Sequence, residues 1–389
     1  MKILMINSVC GIRSTGRICT DIAEELEKQG HDVKIAYGRE TVPEKYQKYA
    51  VRIGTDLDVK LHGIKTRLFD RHGFGSKRAT KKFIKWVEEY DPDVIHLHNL
   101  HGYYINIKIL FDYLKKANKK VVWTLHDCWA FTGHCTYFDY SKCEKWKLQC
   151  KKCPSKKDYP CSVALDSSCR NYGIKKKIFT GLYDMTIVTP SEWLKGLVQQ
   201  SFISEYKVVC IHNGIDLNVF QSAQSNFKQT FNIENKKIVL AVSSIWERRK
   251  GLSDVIELAQ LLPNEYQVVI VGVDEIQKEQ LPANIIGITR TNNAKELAEI
   301  YSAADVFVNL TYEDNYPTVN LEALACGTPV ITYKTGGSVE SVDVHNQVEQ
   351  GDVAAVARKI VNGEYEKNIN RNLYCSKEDF AKECVKIYE

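Results

Sequence analysis

Short apolar runs alternate with amphipathic stretches along most of the chain. In the first half, residues 2–7, 32–37, 93–97 and 121–125 are brief segments rich in Ile, Val and Leu, and read as strands. Between them, residues 18–29 and 106–117 carry helical spacing, with Gly30 standing where a helix C-terminus favours glycine. Apolar strands separated by helices predict a parallel sheet covered on both faces. A polar, cysteine-rich stretch from Gly133 to Cys169 interrupts the rhythm. It resumes with a strand at 185–189, a helix start at Pro190-Ser191-Glu192 and a strand at 207–211.

The second half repeats the alternation. Strands are predicted at 237–242, 266–271, 306–309 and 329–333, and helices at 252–261, 294–303 and 319–325. With 389 residues the chain exceeds what one core organises. The expected class is therefore α/β with two doubly wound, Rossmann-like domains. Residues 1–200 form the first, with an insertion at about 133–169 and a C-terminal helix at about 376–389 packing back on it; residues 201–375 form the second. The Asn213-Gly214 turn places the linker nearby. Ligands of open parallel sheets bind beyond the carboxyl ends of the strands, so two such domains facing each other predict a cleft.

Composition narrows the picture. Apolar residues at 44% and charged residues at 26% exclude a largely disordered chain. The apolar run before Asn7 is too short for a signal-peptide core, and no stretch is long enough to span a membrane. A cytoplasmic chain is expected, with any membrane contact peripheral and at the inner face. The net charge of +5 is unevenly spread: from Lys60 to Lys85 nine cations face only Asp70. Leu68, Phe69, Phe74, Phe83, Ile84 and Trp86 are interleaved with them, which suits either an anionic lipid surface or a solvated basic helix. No nucleic-acid recognition motif accompanies the charge, and no nucleic acid is expected as a partner.

The chemistry concentrates after the strand at 306–309, in Thr311-Tyr312-Glu313-Asp314-Asn315-Tyr316-Pro317-Thr318 followed by a helix containing Glu322 and closed by Cys326-Gly327-Thr328-Pro329. A helix N-terminus suits a phosphate, and a carboxylate within the helix can take both hydroxyls of a ribose. By spacing alone a capped surface helix with ordinary acidic residues is the better reading. The stretch resembles the acidic motif of the retaining glycosyltransferases of family 4, in which two acidic residues separated by seven others precede Ala-Cys-Gly-Thr-Pro-Val. Asn213-Gly214-Ile215-Asp216 and Gly336-Gly337 with Glu340 resemble further motifs of that family.

The resemblance implies a GT-B fold and a nucleotide-sugar donor, UDP before GDP. Glu322 would hold the ribose and Asp314 or the adjacent Glu313 the donor sugar, while Asn315, Tyr316, Pro317 and Thr318 would offer backbone N–H groups near the diphosphate. Without a metal cofactor, the leaving diphosphate needs cations. Lys250 before Gly251 matches the family's Lys-Gly, with Arg249 or Arg248 replacing its usual arginine. Gly16, in the loop after the first strand, resembles the family's glycine-rich loop. His126, after the strand at 121–125, would make a polar contact to the donor sugar or leaving group. Of its neighbours, His96 is expected to be a packed core residue, and His98 and Asn99 could line the acceptor side.

Cys150-x-x-Cys153 with Cys135 and Cys143 could hold a structural zinc, His134 competing as a ligand, or all could remain free thiols. The expected reaction is sugar transfer with retention to a hydroxyl of a lipid-linked oligosaccharide or polysaccharide precursor. A nucleotide-sugar 2-epimerase of the same fold and a non-catalytic nucleic-acid-binding module are the alternatives.

Overall fold

The computed structural model describes residues 1–388. They divide into two compact units: residues 1–212 joined by the C-terminal segment from Lys377, and residues 213–376. The first unit is a seven-stranded parallel sheet. Its strands are β1 (Lys2–Ile6), β2 (Asp32–Tyr37), β3 (Ala50–Arg52), β4 (Val94–Leu97), β5 (Lys120–Thr124), β6 (Met185–Thr189) and β7 (Lys207–Cys210), in the order β3-β2-β1-β4-β5-β6-β7. Helices α1 (Arg13–Lys28), α2 (Asp56–Phe69), α3 (Lys77–Tyr90), α4 (Ile107–Ala117), α5 (Ser168–Phe179) and α6 (Glu192–Gln199) connect them.

The second unit is a six-stranded parallel sheet of β8 (Lys237–Val242), β9 (Tyr266–Val271), β10 (Ile285–Ile288), β11 (Val306–Asn309), β12 (Val330–Tyr333) and β13 (Gln347–Val348), ordered β10-β9-β8-β11-β12-β13. Its helices are α7 (Phe227–Thr230), α8 (Leu252–Leu261), α9 (Glu275–Gln280), α10 (Ala294–Ala303), α11 (Thr318–Ala325) and α12 (Val353–Asn362). The doubly wound α/β class predicted from the alternation is the one observed. In each sheet the order reverses once, between β1 and β4 and between β8 and β11, and those two points set where loops diverge.

The strands read as continuous apolar runs because both faces are covered: β4, β11 and β12 are buried along their whole length. The one polar residue inside β4 is His96. Its Nδ1 meets the Tyr388 hydroxyl at 2.6 Å and its Nε2 the Thr124 hydroxyl at 2.7 Å, so it is a satisfied core histidine. Tyr388 follows helix α13 (Lys377–Val385), which buries Phe380, Ala381 and Cys384 in the first unit.

Local signals account for most boundaries. Ser191 caps α6 by accepting from the Leu194 N–H at 3.1 Å, as Pro190-Ser191-Glu192 predicted. Asp91 takes a left-handed conformation to end α3, and Asp93 accepts from the Lys2 N–H at 2.7 Å, so this acidic pair forms a turn between elements. Helix α1 starts five residues before the predicted 18, so Gly16 lies in its first turns rather than in the preceding loop. Helix α2 is pinned by its inner side: His62 accepts from the Gly75 N–H at 3.0 Å, and a Cβ at Gly75 would strike the His62 ring.

Burial lowers the His62 pKa to about 4 and the His96 pKa to about 3. Both are neutral in the native state, whereas the unfolded chain binds protons at about pH 6.5. The unfolded state therefore takes up more protons as pH falls, and stability drops with it. The unfolding free energy from urea titration is expected to fall as pH is lowered from 7 towards 5, by on the order of 1 kcal/mol for each histidine. A flat profile over that range would contradict the burial of neutral imidazoles.

Candidate functional site

Because β11 pairs directly with β8, the loops that leave their carboxyl ends lie side by side. The loop after β8 winds into a short 3-10 turn at Arg248–Lys250 and reaches Gly251, whose φ of 71° begins α8. A Cβ there would fall on the Leu310 carbonyl oxygen, so only glycine allows the two loops to approach this closely. Tyr312 N–H donates to the Arg249 carbonyl at 2.8 Å and the Thr311 hydroxyl to the same oxygen at 3.2 Å. In return, Arg249 Nη1 donates to the Glu313 carbonyl at 3.0 Å. Lys250 Nζ meets Asp314 Oδ2 at 2.5 Å, with side chains 20% and 13% exposed: sheltered, yet reachable by solvent.

Asp314 Oδ1 also accepts from the Asn315 N–H at 2.9 Å, so one carboxylate fixes both the basic turn and its own loop. Glu313, next to it, is buried. Of the four residues expected to offer N–H groups to a diphosphate, Pro317 has none, and the Asn315 N–H is turned onto Asp314. Pro317 stands at the N-terminus of α11, where no side chain caps the helix.

Glu322 lies within α11, buried, and its Oε2 accepts from the Tyr301 hydroxyl at 3.2 Å. The sequence that follows explains how it is held. The Thr328 N–H donates to the Ala323 carbonyl at 2.9 Å and the Gly327 N–H to the Leu324 carbonyl at 3.0 Å, with Gly327 at φ 91°. This is a Schellman closure, which requires a left-handed residue and so selects glycine. The Thr328 hydroxyl then donates to the Tyr301 carbonyl at 2.6 Å. The Gly-Thr pair thus ends the helix and locks the tyrosine that orients its carboxylate. Beneath the helix, Asn320 bonds Asn309 at 2.8 Å and Ser341 at 2.9 Å.

In the first unit, polar groups gather at the ends of β1, β4 and β5. His98 Nδ1 faces His126 Nε2 at 3.2 Å with the rings stacked at 14°. Burial lowers the His126 pKa to about 4, so it is a neutral imidazole near pH 7. Asp127 pairs with His101 Nε2 at 2.7 Å and accepts from the Trp129 N–H at 2.8 Å. The other nitrogen of His101 meets the Tyr159 hydroxyl at 3.2 Å. Sequence reasoning did not single out Tyr159; its place in the cysteine-rich stretch gave no periodic signal. Asn99 N–H donates to Asn7 Oδ1 at 3.2 Å, joining the β1 and β4 loops. Gly16 is buried, and a Cβ on it would stand 3.2 Å from the Gly11 nitrogen, so its smallness serves the packing of the loop.

In the cysteine-rich insertion the four cysteines expected as zinc ligands lie near one another. Cys135 and Cys153 share a side-chain hydrogen bond that holds the Cys153 thiol below its ordinary range and raises that of Cys135. Cys150 Sγ accepts from the Gly133 N–H at 3.2 Å. Among the described residues, no three of these four sulfurs lie within 4.8 Å of one another, while burial and the nearby Cys153 and Cys143 raise the Cys150 thiol. His134, the competing ligand, places Nδ1 2.5 Å from Asp70 in a fully buried pair, and its buried Nε2 has no hydrogen-bond partner among the described residues. Aromatic packing of Phe131, Phe138 and Trp146 forms the insertion's core. Buried Lys175 donates to the Trp129 and Thr132 carbonyls at 2.7 and 3.2 Å, tying α5 to its entrance.

Replacement of Gly251 by Ala is expected to cost about 2 kcal/mol or more, through the left-handed backbone and the clash with Leu310. Urea unfolding of the second unit measures it, and an unchanged midpoint would show that the loops can separate freely.

Comparison with known proteins bears on this geometry. The family pattern described as Glycosyltransferase Family 4 matches residues 15–219, and that described as Glycosyl transferases group 1 matches residues 223–373. The provisionally assigned colanic acid biosynthesis glycosyl transferase WcaC of Escherichia coli (strain K12) is 25% identical over 386 residues, covering 92% of each chain. Among solved structures, sucrose-phosphate synthase from Thermosynechococcus elongatus superposes with a TM-score of 0.68 at 17% identity, over 100% of this chain and 96% of that one. Anabaena Alr3699/HepE in complex with UDP gives 0.66 at 14% identity, over 99% of both. The structural likenesses establish the GT-B fold. With more than half of its length matched by a single family pattern, the chain belongs to glycosyltransferase family 4.

Proposed function

We propose that this chain transfers a sugar from a UDP-sugar to a hydroxyl of a lipid-linked oligosaccharide or polysaccharide precursor, with retention of configuration. The observation that carries the reading is the meeting of Arg249 and Lys250 with Glu313 and Asp314 ahead of the α11 N-terminus. In this assignment the second unit takes the donor and the first selects the acceptor.

Lys250 and Arg249 meet the diphosphate charge, and no metal ion is needed for that role. Lys250 and Asp314 are sheltered but still reached by solvent, and a diphosphate, carrying more than one negative charge, can take the lysine from a single carboxylate. The Thr318 N–H and the positive end of α11 favour the same anion. Released from Lys250, Asp314 is free to accept from sugar hydroxyls, with Glu313 as the neighbouring candidate. Glu322, oriented by Tyr301, takes the ribose hydroxyls. His126 gives the donor sugar or leaving group a polar contact; as a neutral imidazole it can donate without adding charge.

The acceptor hydroxyl attacks on the face from which UDP departs. The likeness to the UDP-bound HepE structure supports uridine, and the colanic acid relative supports a surface-polysaccharide acceptor.

Titration calorimetry with UDP tests the assignment. Glu322→Ala is expected to weaken binding roughly 10- to 100-fold, the worth of a charge-assisted hydrogen-bond pair, while the thermal midpoint stays close to that of the parent. Unchanged affinity would refute the role of Glu322. UDP release that requires an added acceptor supports transfer, whereas sugar interconversion without one would overturn it.

A further inference from the structure

Helix α2 is amphipathic the wrong way round for a helix that only covers a sheet. Its inner side carries Val59, His62 and Thr66, of which His62 and Thr66 are buried. Its outer side carries Leu57, Leu61, Ile64 and Leu68, which are 65%, 57%, 55% and 41% exposed. At 3.6 residues per turn these four fall within an arc of about 60°. Lys60 and Arg67 flank the arc on one side and Lys65 on the other, all exposed. An apolar stripe bordered by long cations is the pattern of a helix lying in a membrane interface.

The insertion extends this surface. The Val163 N–H donates to the Arg67 carbonyl at 2.8 Å and the Leu165 N–H to the Leu68 carbonyl at 3.2 Å, which sets two more exposed apolar side chains beside the last turn of α2. The charge nearby is mostly positive, the acids being engaged: Asp166, beside Leu165, accepts from the Cys153 and Ser168 N–H groups at 2.7 and 2.9 Å. Asp70, the acid that seemed in the sequence to oppose the cations, is buried against His134 and the Ser167 N–H. Asp56 pairs with Arg52, and Asp58 is spent on capping the helix at Thr55. Lys65 lies close enough to Lys77 and Arg71 that burial and their charges lower its pKa. The Nη1 of Arg71 has no hydrogen-bond partner among the described residues.

Of the aromatic residues expected to meet lipid, Phe69 at the end of α2 is exposed and the others pack against protein. Phe74 and Phe83 are buried, and Trp86 stacks between Phe83 and Tyr90. They pack α3 inward and leave the outward apolar role to α2.

We propose that the outer face of α2, together with Val163 and Leu165, docks this protein on an anionic lipid bilayer, the leucine stripe entering the headgroup boundary and the bordering Lys and Arg meeting lipid phosphates. The charge decides for a bilayer over a protein partner, because cations border the stripe on both sides and every acid of α2 is engaged elsewhere. Docking goes beyond the transfer reaction and needs no donor.

Flotation of the full chain with vesicles, in the absence of nucleotide sugar, tests the proposal. The parent protein is expected to float with vesicles of phosphatidylcholine and phosphatidylglycerol and to stay behind with phosphatidylcholine alone. Joint Leu61→Glu and Ile64→Glu substitution should reduce the bound fraction about tenfold or more without lowering the thermal midpoint, since both side chains face solvent. Joint Lys60→Gln, Lys65→Gln and Arg67→Gln substitution should remove most of the preference for the anionic lipid and its salt sensitivity. Equal binding to both vesicle types, or undiminished flotation of the double glutamate variant, would overturn the proposal. So would light scattering that shows a dimer dispersed by the same glutamates, which would make the face a contact between copies of this chain.

Discussion

The geometry of the second unit rests on how closely two loops can approach at the ends of β8 and β11. Backbone pairing brings the strands together, but the loops meet only because Gly251 leaves room for the Leu310 carbonyl. Once they meet, Lys250 and Asp314 close the contact, and Arg249 is fastened to the Glu313 carbonyl. Cations and carboxylates that the chain separates by more than sixty residues become one polar surface. A pair of opposite charges that is sheltered yet reached by solvent holds the loops and, in the function proposed above, is exchanged for a ligand. Resting order and ligand response thus share one contact.

A parallel logic holds in the first unit with histidines in place of ion pairs. His96 is enclosed and doubly bonded, which fixes β4 against β5. His98 and His126 stack one step further along, where burial keeps His126 neutral. Asp127 holds His101, and Tyr159 reaches that pair from the insertion. The insertion therefore serves the strand ends through an aromatic core and a tyrosine.

Much of this was legible in the chain. Strands buried on both faces announce themselves as unbroken apolar runs, and the predicted β8, β9 and β11 match their observed bounds. The Gly327-Thr328 signal was equally readable, because a left-handed closure has few alternatives to glycine. The short edge strands β3, β10 and β13 were missed, being too brief to carry a period. The Cys150-x-x-Cys153 spacing fixes only neighbours in sequence, and the approach of Cys135 to Cys153 follows from tertiary packing. The same limit hid the orientation of α2: its residues suggested cations mixed with aromatics, and only burial shows that Phe74 and Phe83 turn inward while the leucines of α2 and Phe69 face outward.

The central claim is that Lys250 is held by Asp314 until a diphosphate takes its place. Calorimetry of UDP binding to Lys250→Met, Asp314→Asn and the double variant tests it directly, since UDP lacks the sugar that Asp314 would otherwise contact. Removing the competing carboxylate should tighten UDP binding about fivefold when Lys250 is present, the equivalent of about 1 kcal/mol, and should change nothing when it is absent. Additive effects, or an Asp314→Asn variant that binds UDP as the parent does, would contradict the account.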